Sequence, residues 1–147
     1  MYVHHASALA QGGAALTQHH VQRFRLDIPQ ATGEIVPEAR HWLRDIGAKL
    51  GLDTEDAELL LTELLANVAE HADGGPAWIT VAIGASLVVG VGDHRPDKPL
   101  HRHPYKDPLT LGGRGLDIAY ALAARLWVDK RRPGTKRVTV RLPIGGN

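Results

Sequence analysis

Cysteine is absent from the 147 residues, which excludes disulfide bridges, thiolate metal sites and a cysteine nucleophile. No apolar run is long enough to span a membrane, and the N-terminus lacks the basic-then-apolar order of a secretory leader. Both absences suit a cytoplasmic protein. Strong charge is also missing: 17 Lys and Arg stand against 16 Asp and Glu, a net +1. The whole-chain field therefore gives no reason to expect a nucleic-acid partner. The basic group Lys130, Arg131, Arg132, Lys136, Arg137 and Arg141 reads as the solvated face of a hairpin. What remains, 44% hydrophobic and 22% charged residues, is the make-up of one globular domain with a real core.

The densest apolar stretch runs from Glu58 to Ala72 and carries Glu63, Asn67 and His71 among leucines and alanines. It is too long for a strand and too apolar for a surface helix, so it predicts a mostly buried helix. Asp53 serves as its N-cap, with Asp56 three residues on, and Gly74-Gly75-Pro76 ends it. At about 100° per residue, Glu58, Thr62, Ala69 and Asp73 fall on one side, which is expected to face water. Glu63, Asn67 and His71 are spaced by four and form a separate stripe, flanked by Leu59 and Ala66 on one edge and by Leu60 and Leu64 on the other. The helix alone leaves two readings open. The stripe bonds to loop backbone and fixes packing, since unpaired burial costs roughly 1–3 kcal/mol per group. Alternatively, it serves a site that handles a cation, water and phosphate.

Residues 1–20 hold alanine, glycine, glutamine and four histidines without a sustained period and read as a flexible arm. Residues 21–28 alternate as a half-buried strand ended by Pro29. From Ile35 to Leu50 the apolar residues repeat at helical spacing, with Pro37 in the first turn, Gly51 closing, and Arg40, Arg44 and Lys49 on a solvated face. After the helix of the central stretch, residues 78–83 and 87–91 form two strands joined at Gly84-Ala85-Ser86, and the second delivers Asp93. Residues 94–111 lose all periodicity and read as a functional loop or lid. Gly112-Gly113-Arg114-Gly115-Leu116 opens a further helix. Residues 126–129 and 137–142 are strands turned at Arg132–Thr135. This order predicts an α+β fold, a mainly antiparallel sheet covered on one face by helices.

A glycine-rich turn entering a helix is a ready anion site, yet Gly-Gly-Arg-Gly alone is neither a Walker loop nor a Rossmann fingerprint. Its company gives it meaning. The segment from Glu63 through Asn67 and His71 to Ala72 resembles the N-box of the ATPase superfamily that includes gyrase, the large heat-shock chaperones and histidine kinases, the GHKL group. Val91-Gly92-Asp93-His94-Arg95-Pro96 is similar to its first glycine box, Gly113-Arg114-Gly115-Leu116 to its second, and Gly134-Thr135 to its threonine-bearing turn. Single-domain size and the Asn-x-x-x-His-Ala pattern are most similar to bacterial anti-sigma factors with serine-kinase activity.

The resemblance implies a Bergerat ATP-binding fold over residues 21–147, a two-layer sandwich with a mixed, mainly antiparallel sheet. It implies ATP and Mg²⁺ as cofactors and a sigma factor and an anti-anti-sigma protein as partners. It allows a homodimer and involves no membrane or nucleic acid. Glu63 would be the general base and Asn67 the metal ligand. Asp93 would accept from the adenine amino group, supported by Thr135 through water. Gly113, Arg114, Gly115 and Leu116 would hold phosphates. One position departs: Arg95 stands where the first glycine box carries glycine. The alternative reading is therefore a binding module in which the fold captures a regulatory protein and ATP binds weakly or not at all.

Overall fold

The computed structural model describes residues 2–5, 20–71, 74–98, 121, 123 and 125–144. Its elements are β1 (Tyr2–His5), β2 (Gln22–Ile28), a 3-10 turn (Gly33–Ile35), α1 (Val36–Leu50), α2 (Glu55–His71), β3 (Ala77–Ile83), β4 (Ser86–Asp93), β5 (Arg125–Asp129) and β6 (Lys136–Pro143). The strands form one sheet in the order β1-β2-β3-β4-β6-β5. The expected mixed sheet narrows to an antiparallel one, since every pairing among the described residues is antiparallel. Within the segment read as a flexible arm, Tyr2–His5 pair with β2 as an edge strand. The helix expected after Gly112 lies outside the described residues, as do the glycine turn itself and most of the 94–111 loop.

Period-two patterning sets the two faces of the sheet. Leu26 and Ile28, Ile79 and Val81, Val89 and Val91, and Val138 and Val140 point to one face, where they are buried against Leu43 and Ile46 of α1 and Leu60, Leu61, Leu64, Leu65 and Val68 of α2. Burying one such side chain contributes about 1.5–3 kcal/mol, so this double layer dominates stability. α1 stops where expected: Gly51 takes φ 66° and its N–H caps the carbonyls of Ala48 and Gly47. α2 starts with the Glu55 N–H donating to Asp53 Oδ1 at 2.9 Å.

The rotation of α2 differs from the one expected. Its wet arc carries Glu55, Leu59, Ala66 and Glu70 rather than Glu58, Thr62 and Ala69. Leu59 is 37% exposed, whereas Glu58 is 5% exposed. Glu58 is turned inward because it finds partners there: the Arg44 guanidinium donates to Oε1 at 2.7 Å, and the Thr54 hydroxyl donates to Oε2 at 2.9 Å. A buried carboxylate is tolerable only when paired in this way. Arg44, expected to be merely solvated, thus clamps α1 to the first turn of α2. Arg44→Ala is expected to lower stability by about 1–2 kcal/mol, the modest end for an orphaned buried carboxylate because Arg44 itself is over half exposed. Urea midpoints check this, and an unchanged midpoint would show that the clamp contributes nothing.

Candidate functional site

α2 and β4 run in the same direction. A recess of about 440 Å³ at one end of the molecule brings Asp53, Asp56 and Ala57 beside Leu87 and Leu142, so the start of α2 lies by the start of β4. Moving ten residues along α2 from Ala57 covers about 15 Å, and six along β4 from Leu87 about 20 Å. Asn67 and Asp93 therefore lie toward the same far end. Lys136 joins Asp93 there through the β4–β6 register, and the recess is lined by none of Glu63, Asn67, Asp93 and Lys136.

Glu63 and Asn67 are both half-buried. They sit on the border between the wet arc of α2 and its buried leucines, so they are not held among leucines on both sides. One helical turn separates them, and both side chains project along the same edge. The side chain of His71 lies outside the described residues. So do Gly113, Arg114, Gly115 and Leu116, which leaves the phosphate-holding turn without a described geometry.

Asp93 ends β4 on the core side, in line with Val89 and Val91, and is 2% exposed. Its Oδ1 accepts the backbone N–H of Arg95 at 2.7 Å. The Arg95 guanidinium turns along the loop to Asp97, 3.1 Å away, and that hydrogen bond holds the Asp97 carboxyl below its usual range. A backbone N–H is available from any residue except proline, so arginine at position 95 leaves this contact to Asp93 intact.

Behind Asp93 the strand is thin. A Cβ on Gly92 would lie 2.1 Å from two ring atoms of Trp78, the residue paired with it across β3 and β4. The Trp78 ring thus lies directly on the strand, with the His94 ring edge-on at 5.4 Å and the Arg25 guanidinium 5.3 Å above it. Glycine at 92 is what admits this seating.

Thr135 follows the Gly134 turn, where φ is 74°, and its hydroxyl donates to the Arg132 carbonyl at 2.7 Å. The residue that faces Asp93 is its neighbour Lys136, which is paired with it in the β4–β6 register. The Lys136 ammonium stands 3.4 Å from Asp93 Oδ2 and also donates to the Lys98 carbonyl. Sequence reasoning passed over Lys136 by placing it in a solvated basic cluster. The signal was present: Lys136, Val138, Val140 and Leu142 alternate on one face, which points the lysine inward.

The family described as "Histidine kinase-like ATPase domain" matches residues 30–142. A search of curated proteins finds no significant match. Among solved structures, the RsbU and RsbW domains of Rv1364c from Mycobacterium tuberculosis are similar in fold, with a TM-score of 0.60 at 20% identity over 84% of this chain. The chain spans 33% of the length of that protein. With a helix bearing Glu63 and Asn67 beside a strand that ends in Asp93, and a family match over most of its length, the chain belongs to the histidine kinase-like ATPase domain family.

Proposed function

We propose that this protein is a cytoplasmic anti-sigma regulator that uses Mg-ATP to phosphorylate a serine of a small anti-anti-sigma protein, so that a sigma factor is released or recaptured. The observation that supports it best is the position of Glu63 and Asn67, one turn apart on the half-buried edge of α2 that leads toward Asp93. Asn67 would hold Mg²⁺ through its amide oxygen. Among the described residues no three His, Cys, Asp or Glu side chains gather into a metal site, and a nucleotide-borne Mg²⁺ needs none. The ion, when bound, offsets the charge of the phosphates. Glu63 would accept the proton of the attacking serine hydroxyl. Asp93 would accept a hydrogen bond from the adenine amino group, with Thr135 assisting through water, and Gly113 to Leu116 would hold the phosphates.

Purified protein mixed with Mg²⁺, labelled ATP and candidate anti-anti-sigma proteins should label one serine. Asn67→Ala should weaken Mg-dependent ATP binding by at least about 10–100-fold, the range for losing even an outer partner of a metal ligand, and titration calorimetry reads it. ATP binding that is indifferent to Mg²⁺ and to Asn67→Ala would remove Asn67 from the site. The buried Asp93–Lys136 pair favours a second reading, a binding module that captures a sigma factor without chemistry. Capture without label on any partner would select it.

A further inference from the structure

Asp93 already has a ligand inside its own chain. One carboxylate oxygen accepts from Arg95 N–H, and the Lys136 ammonium sits at the other. Both side chains of the ion pair are 3% exposed. The same ammonium donates to the carbonyl of Lys98, five residues beyond the end of β4. A buried lysine and a buried aspartate are each costly alone, so each holds the other in place. A nucleobase amino group would approach the same carboxylate as a neutral donor. The ammonium brings a full charge and makes the stronger contact.

We propose that Lys136 is a latch on the base-binding end of the nucleotide site. It occupies Asp93 in place of a base amino group, and a nucleotide seats its base only after the ammonium leaves Asp93 and Lys98. The inference rests on the reading of Asp93 as the base acceptor. The four-carbon stem of lysine lets the head group swing away while β6 stays paired. A binding-competent form populated at about 10% or less lowers apparent affinity at least about tenfold.

The test is calorimetric titration of Mg-ATP into the full chain and three variants. Lys136→Met keeps most of the stem and removes the charge, Lys136→Thr removes both, and Lys136→Arg keeps the charge. Lys136→Met and Lys136→Thr should bind Mg-ATP at least about tenfold more tightly than the wild type, while Lys136→Arg should not. Without nucleotide, the Met and Thr variants should melt at a lower temperature, because Asp93 loses its counter-charge. Opposite signs for affinity and stability mark a latch, since losing a merely structural lysine would weaken both. Should Lys136→Met fail to fold, Lys136→Thr carries the same reading. If the wild type binds Mg-ATP and neither variant binds it more tightly, the latch is overturned and the nucleotide site stands. If neither the wild type nor any variant binds, both are overturned.

Discussion

Glu63→Gln is expected to cut phosphoryl transfer by roughly 10²–10⁴-fold, the usual contribution of a positioned general base. The glutamine keeps the shape of the side chain and its capacity to bond, and loses only the basic oxygen. Mg-ATP affinity should stay within a few-fold, because Glu63 is not assigned to the nucleotide. Single-turnover transfer to the serine partner, measured beside ATP titration, separates the two quantities. Transfer that continues near the wild-type rate would make Glu63 a structural carboxylate on the edge of α2. The half-buried position of Glu63 suits a base, being sheltered enough to be positioned and open enough to meet a partner's hydroxyl.

The second large effect concerns packing behind Asp93. Gly92→Ala places a methyl group 2.1 Å from the Trp78 ring, far inside contact distance, so the ring must leave its seat or the strand must move. Overpacking of this kind costs about 1–3 kcal/mol. The unfolding free energy from urea titration should fall by that amount, and the tryptophan emission should shift as Trp78 is displaced. The added effect of Gly92→Ala should vanish in a Trp78→Val background, because the cost is a pairwise clash. An undiminished cost there would trace the loss to the backbone of Gly92 itself.

Much of this was legible in the chain. Alternating residues marked β2, and short β-rich segments set off by turns marked β3, β4, β5 and β6. The 3.6 period marked α1, and Gly51 and Gly134 stand at positive φ where turns were expected. The rotation of α2 was not legible, because side-chain polarity stood in for exposure. Glu58 is buried by virtue of Arg44, a residue on another helix, while Leu59 is left outside. The same substitution of charge for exposure hid Lys136. The strand Tyr2–His5 escaped because a short edge strand needs only a neighbour to pair with, and its sequence carries no period. Glu63, Asn67 and Asp93 were read from spacing and resemblance, and the structure brings their elements to one end. Thr135 was named for the turn it follows, but the direction of its hydroxyl depends on the carbonyl of Arg132, which no motif records.

The strand order has a consequence for how the chain is made. β3 and β4 are formed by neighbouring segments of the chain, but β4 must then wait for β6, which is synthesised after a long excursion. Contacts of such sequence separation form late and slowly, and during that interval β4 is an open edge rich in valine, the kind of surface on which chains stick together. The one charge on its core-facing side at that stage is Asp93. An unpaired, inward-pointing carboxylate on an edge strand discourages another chain from docking there. When β6 arrives, it brings Lys136 to that position, and the same carboxylate changes from a guard against aggregation into half of a buried ion pair.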